Sequence, residues 1–238
     1  FAELPHKVAE LCLQHQCDLL LLTGDIFDGT YTKESYQRLY AALESVKIPV
    51  IITPGNHDFY CPGSPWAAET WPENVHIFTQ NHLELVEIPG LPCRFVGAAF
   101  TSMDCPPLLE GFSAPEGDTP VVGVLHGDPT QSDSPYCRIS SAQVQQSGLS
   151  YLALGHIHKQ GSFRAGNTLC AWPGCPMGKG YDETGEKGVL LVELGETVSV
   201  QFRTLDTPRF YDETLEAGID PIGSAAALLP PLATTDCY

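Results

Sequence analysis

Residues 48–58 read IPVIITPGNHD: an apolar run that stops at a proline-glycine pair and then sets an asparagine, a histidine and an aspartate side by side. A continuous apolar run without polar alternation is the pattern of a strand covered on both faces, as in a parallel sheet. A turn accounts for Pro54, Gly55 and Asn56, but it does not call for His57 and Asp58. Upstream, residues 18–25 (DLLLLTGD) repeat the theme, a buried run followed by Gly24 and Asp25. Between the two runs, residues 32–46 place Tyr36, Leu39, Leu43 and Val46 on one helical face, and residues 3–16 do the same with Leu4, Val8, Leu11 and His15. Helices alternating with buried runs follow β-α-β logic, so the first two strands are expected to be parallel.

Two further strand ends carry the same cargo. VGVLHGD (122–128) ends on His126, Gly127 and Asp128, and LALGHIH (152–158) ends on Gly155, His156 and His158. Loops at the carboxyl ends of parallel strands converge on one crevice, so side chains far apart in sequence can meet there. Glycine beside each polar residue lets the backbone turn and approach closely. Carboxylate, amide oxygen and imidazole without thiolate suit a divalent ion such as Mn, Fe or Zn. Two ions about 3.5–4 Å apart would share a carboxylate, and Asp25, nearest its strand end, is the candidate.

Elsewhere the pattern is mixed. VHIF, LELVEI and CRFVGAAF are short strand-like runs suited to antiparallel or mixed pairing, and residues 101–119 read as a long loop. SSAQVQQSG is a short helix with a serine cap and a glycine stop. LCAWPG, GVLLVELG and VSVQFRTL look like a closing antiparallel set. One domain over 1–205 is followed by a change of character, and 206–238, with its SAAALLPPLAT stretch, reads as a linker or the start of a C-terminal extension to a capping region.

The formal net charge is −17, from 12 basic and 29 acidic side chains, which argues against a broad grip on polyanionic nucleic acid. Between His126 and Gly188, however, five basic residues face five acidic ones, so a phosphate-tolerant surface there is compatible with the composition. Nine cysteines without a C-x-x-C pair read as reduced thiols of a cytoplasmic protein rather than a disulfide framework or zinc ribbon. No run approaches the ~18–20 apolar residues of a membrane span.

The ordered set GDIFD, GNHD, HGD and GHIH resembles the calcineurin-like metallophosphoesterase superfamily. HGDPTQSDSPY, YLALGHIHK and WPGCPMGKGYDETGEKG resemble, more narrowly, the bacterial exonuclease-like branch related to the SbcD nuclease subunit. The resemblance covers roughly residues 1–216. It implies a four-layer α-β-β-α sandwich of two mixed sheets and two divalent ions, manganese foremost, with a metal-bridging hydroxide that attacks the phosphodiester. By that resemblance Asp25 bridges the metals, Asn56, His126 and His156 complete one site and His158 serves the other. His57 stands over the phosphate, stabilising its charge or protonating the leaving oxygen, and Asp58 orients the His57 ring. Asp28 reads as loop support, and Tyr136 and Arg138 as substrate contacts, with Lys159 and Lys179 open to the same role.

The implied substrate is DNA, in a nuclease served by an SbcC-like coiled-coil ATPase and often dimeric. The alternatives are a phosphodiesterase for nucleotides or small phosphodiesters, or a catalytically impaired subunit of such an ATPase. The family also opens with a D-x-H strand that these 238 residues lack. The expectation is therefore a missing first strand and a first metal short of ligands. Singly, each motif has a plain structural explanation: TGD and PGN make good turns, GHIH fits an edge strand, and YDETGEKG reads first as a turn. Four in order do not. His6, His15, His76 and His82 read as surface or packing residues.

Overall fold

The computed structural model describes residues 3–212, 214 and 220–228. The β-α-β expectation holds at the amino end. Helix α1 (Leu4–Gln14) leads to β1 (Leu20–Leu22), and α2 (Lys33–Ser45) leads to β2 (Val50–Ile52), with Leu20 beside Val50 in parallel register. Helix α2 starts where it does because Thr32 Oγ1 accepts the Ser35 amide while Ser35 Oγ accepts the Thr32 amide, a capping box that satisfies two otherwise orphaned donors.

After the short α3 (Pro65–Ala68), β3 (Val75–Ile77) adds to β2 in parallel, so the VHIF run belongs to the first sheet rather than to an antiparallel set. A six-stranded mixed sheet follows, in the order β4-β5-β6-β7-β9-β8. Its members are β4 (Glu84–Glu87), β5 (Arg94–Gly97), β6 (Val121–His126), β7 (Tyr151–Gly155), β8 (Gly161–Ala165) and β9 (Thr168–Trp172). The four central strands β5, β6, β7 and β9 are mutually parallel, and only β4 and β8 run against their neighbours. Helix α4 (Ser141–Gln146) has the expected serine cap, Ser140. Strands β10 (Gly188–Leu194) and β11 (Val198–Thr204) form an antiparallel hairpin. Part of the SAAALLPPLAT stretch falls in α5 (Pro221–Leu228); its residues 229–234 lie outside the described ones.

Strand periodicity builds the layers. Leu20, Leu22, Val50 and Ile52 turn one way, onto Ala9 and Cys12 of α1 and Leu39, Ala42 and Leu43 of α2. Leu19, Leu21 and Ile51 turn the other way, onto Phe95, Val122, Val124, Tyr151 and Ala171 of the larger sheet. Leu190, Val192, Val198 and Val200 of the hairpin pack into that same middle layer. The far face of the larger sheet, with Val96, Leu125, Leu152, Leu154 and Cys170, is covered by Val144, Leu149 and the 101–119 loop. The result is an α/β sandwich, helices outside and sheets face to face. All eight cysteines of the described residues are free thiols, and no helix among the described residues is long and apolar enough to cross a membrane.

The two sheets come closest at the carboxyl ends of β1, β2, β6 and β7. Thr53 Oγ1 donates across the gap toward the Ala98 and Val124 carbonyls. At Gly155 the approach is tighter still: a Cβ there would lie 1.9 Å from the Thr23 carbonyl oxygen. Gly155→Ala therefore forces the sheets apart where the polar strand ends meet. A loss of about 2–3 kcal/mol, the upper range for overpacking, is expected in denaturant unfolding, with the larger part of the damage at the site.

Candidate metal centre

Both ligand-bearing loops of the first sheet are fastened by one side chain. The Asp58 carboxylate is buried, and it accepts from the amides of Gly55 at 2.8 Å, Asp25 at 3.1 Å, Ile26 at 2.8 Å and Phe27 at 3.2 Å. Burial pushes its pKa up, to about 6, against the pull of those amides, with the neighbouring Asp25 charge adding to the rise. The expected task of orienting the His57 ring is therefore corrected: both Asp58 oxygens are occupied by backbone. Asp25 answers in the other direction, its Oδ1 accepting the His57 amide at 2.9 Å.

Around Asp25 the sequence's scattered ligand types gather. His126 Nε2 lies 3.3 Å from Asp25 Oδ2, 2.9 Å from Asn56 Oδ1 and 3.3 Å from His156 Nδ1, and Asn56 Oδ1 lies 3.2 Å from His156 Nδ1. Asp25, His126 and His156 form a cluster able to hold a metal ion, with the Asn56 oxygen inside it. His126 reaches it from the end of β6, and its far nitrogen, Nδ1, donates to the Thr23 carbonyl at 2.8 Å. Nε2 faces the Asp25 and Asn56 oxygens, both acceptors. Against the effect of burial, the Asp25 carboxylate holds the ring above its ordinary pKa, so without a metal Nε2 carries a proton that an ion would replace. A cation bound among these atoms takes the place of that proton, and donors bound at ~2.0–2.1 Å sit roughly 2.9–3.4 Å from one another around an ion. The observed separations fall in that window, so the residues present fit a divalent metal.

Electrostatics agree. Burial works against the Asp25 charge, but the hydrogen bond and charge of His126 outweigh it and hold the carboxyl below its ordinary value. Burial and the neighbouring His126 push His156 down, toward the neutral imidazole that ligates metals. Two of these residues occupy left-handed backbone, Asp25 at φ 55° and His156 at φ 95°. A non-glycine residue in that region carries strain of about 1–3 kcal/mol, which accumulates at functional sites.

The remaining expected residues sit around this cluster. His57 Nδ1 lies 2.9 Å from Asp28 Oδ1, so Asp28, expected as a loop support, is the residue that orients the imidazole. Asp28 Oδ2 is met by Lys179 Nζ at 2.6 Å, and that pair holds the Asp28 carboxyl below its usual range. His158 is not gathered into the cluster; its Nδ1 bonds Glu183 Oε1, while Glu183 Oε2 accepts the Lys179 amide at 2.7 Å. Lys179 and Glu183, in the stretch that reads as a turn, thus hold two of the histidines. The only sequence signal was their place in the WPGCPMGKGYDETGEKG resemblance.

The Tyr136 ring lies 4.9 Å from the His156 ring, beside the cluster. Arg138, exposed, lines a separate open cavity of about 370 Å³ with Asp104, Pro106, Pro107 and Pro135. Asp128 caps its own loop, taking the Thr130 amide and hydroxyl at 2.7 Å each.

With this geometry in place, comparison with known proteins defines the class. The calcineurin-like phosphoesterase family matches residues 1–160, and the chain belongs to that family. Family and donor cluster together define the class: a domain of the calcineurin-like phosphoesterase fold with residues that could hold a metal ion. A curated relative, described as an uncharacterized metallophosphoesterase, YhaO of Bacillus subtilis, is 32% identical over 208 residues, which are 82% of this chain and 49% of the relative. The chain therefore spans about half the length of that relative. Among solved structures, TT1561 of Thermus thermophilus superposes with a TM-score of 0.51 at 13% identity, covering 85% of this chain and 92% of that one. A putative 5'-nucleotidase from Staphylococcus aureus gives 0.50 at 16%, covering 94% and 52%; at such identities the likeness is one of fold.

Replacing Asp58 tests the fastening directly. In Asp58→Asn an NH₂ group faces two backbone donors, leaving buried amides unsatisfied. A loss of about 3 kcal/mol is expected in urea unfolding, together with a lower metal content of the purified protein by elemental analysis.

Proposed function

We propose that the chain hydrolyses phosphodiesters of nucleotides or other small diesters, using a divalent metal held by Asp25, Asn56, His126 and His156. The observation that carries this reading is the convergence of four ligand-type atoms from four strand ends, with His126 Nε2 2.9–3.3 Å from the other three. A divalent ion bound there supplies Lewis acidity toward a phosphoryl oxygen and an ionised water as nucleophile. The protein's own part is positioning. Asp25 divides its carboxylate, one oxygen toward the cluster and one on the His57 amide, so the histidine's backbone is fixed relative to the donors. Asp28 accepts from Nδ1 of the His57 ring and fixes its orientation; in the imidazolium form Nε2 also carries a proton, which it can direct to a phosphoryl oxygen or give to the departing alkoxide. Lys179 holds Asp28 in turn, and Glu183 holds His158. A second ion at Asp25 and His158, and manganese as the metal, extend the same proposal.

Small substrates are favoured over DNA by the net charge of −17, which opposes a long polyanion. The nuclease reading, with an SbcC-like ATPase partner and a dimer, is supported by the three stretches that resemble the SbcD-like branch. Assay of the full-length protein with Mn²⁺, Fe²⁺ or Zn²⁺ on a chromogenic diester, small nucleotides and single-stranded DNA separates the two. The expected order places the small diesters first, with activity abolished by EDTA. Preference for DNA, strengthened by an ATPase partner, would instead establish the nuclease. Asn56→Ala and His126→Ala should lose bound metal and at least ~10²-fold in activity. His57→Gln should keep its metal and lose about 10²–10³-fold in kcat; a full complement of metal with no diester hydrolysis by the parent protein would refute the reading.

A further inference from the structure

Tyr181 is 70% exposed, which sets it apart from the aromatic residues packed into the three core layers. Its ring and that of Phe210 form an edge-to-face pair, with centroids 5.2 Å apart and planes at 72°, so it is braced on one side while most of its surface stays open. The segment beneath it is pinned. Glu183 N–H donates to the Gly180 carbonyl at 3.0 Å and Gly185 N–H to the Phe210 carbonyl at 3.0 Å, while Leu205 N–H donates to the Lys187 carbonyl at 2.9 Å. Gly178 lets the turn close onto Phe210: a Cβ there would lie 2.7 Å from the Glu183 carbonyl oxygen and 3.3 Å from the Phe210 ring. An exposed ring on an anchored turn loses little freedom when something lies against it.

The placement of that ring matters more than its exposure. Tyr181 stands two residues from Lys179, whose ammonium reaches Asp28 and through it His57, and two residues from Glu183, which holds His158. The turn that carries Tyr181 is thus the one whose side chains reach the residues beside the centre. Around the ring the surface is polar, with Asp182, Thr184 and Glu186 exposed. A protein or lipid partner would call for a broader apolar patch; a single flat group is suited to a single ring.

We propose that Tyr181, braced by Phe210, stacks a nucleobase of the substrate and so selects nucleoside-bearing phosphodiesters over simple ones. This deepens, and rests on, the phosphodiesterase reading. Base–aromatic stacking tolerates any base and strengthens binding without reading sequence.

The test compares two diesters with the same leaving group, 4-nitrophenyl thymidine 5'-phosphate and 4-nitrophenyl methyl phosphate, on the full-length protein with Mn²⁺. The ratio of their kcat/KM values should fall about tenfold in Tyr181→Ala, the low end of what one stack contributes, and stay within about twofold of the parent's in Tyr181→Phe. A ratio in Tyr181→Ala within twofold of the parent's overturns the proposal. Unchanged selectivity with a lowered Tm also overturns it, because Tyr181 would then be packing against other parts of the protein. If the parent protein hydrolyses neither diester, the phosphodiesterase reading fails separately. The stack is then decided by fluorescence anisotropy of 1,N6-ethenoadenosine 5'-monophosphate: tenfold weaker binding by Tyr181→Ala upholds it, and equal binding overturns it.

Discussion

The centre depends on the grip of one buried carboxylate on four backbone amides. Asp58 joins the loop after β1 to the loop after β2 by taking the amides of Asp25, Ile26 and Phe27 from one and that of Gly55 from the other. Hydrogen bonds to a charged acceptor are about twice as strong as neutral ones, and a buried amide left without a partner costs ~1–3 kcal/mol. Neither loop can shift without breaking several such bonds. Asp25 returns the grip by accepting the His57 amide, so the two loops are tied in both directions. Asn56 lies between these ties, and its amide oxygen is carried to His126 and His156 with little freedom left.

This rigidity explains how the chain tolerates strain. Asp25 and His156 sit at positive φ, a conformation that would relax if the surrounding backbone were free. The sandwich prevents relaxation by bringing the strand ends together too closely for alternatives. A Cβ on Gly24 would lie 2.4 Å from His126 Nδ1, and one on Gly55 would lie 2.2 Å from Asp25 Oδ1. The glycines beside the ligand residues are thus space for a neighbour's side chain as much as flexible hinges.

What the sequence disclosed follows from the same physics. Buried strands announce themselves as apolar runs, and polar residues after a glycine at the end of such a run mark the crevice, so Asp25, Asn56, His126 and His156 were legible. Parallel pairing of β3 was not: three residues, Val75–Ile77, carry no signal of direction, and register is set by the sheet they join. Strand β8 has no counterpart in the sequence reading because its residues alternate half-buried with exposed, and Gly161 makes room for the Trp172 ring. The roles of Asp28 and Asp58 could not be assigned by adjacency. Asp58 follows His57 directly yet turns into the core, whereas Asp28 comes from another loop to meet the ring. Lys179 and Glu183 were the least legible, since Lys179 pairs with a residue 151 positions away, and a turn-like segment gives no hint of so distant a partner.

The acidity of the chain acquires a local meaning from these contacts. A net charge of −17 would repel phosphate if it were spread evenly. Near the centre, however, the carboxylates are already committed. Asp58 is wrapped in amides, Asp28 is neutralised by Lys179, and Glu183 is divided between His158 and the Lys179 amide. Asp25 alone among them turns an oxygen to the donor cluster, where a bound cation would offset it. An anionic substrate therefore approaches a centre whose innermost negative groups are individually compensated, with Asp182 and Glu186 exposed on the turn beyond them. That arrangement penalises a long run of phosphates across the surface more than one or a few at the centre, and it is the physical ground on which we propose a small diester rather than a polymer.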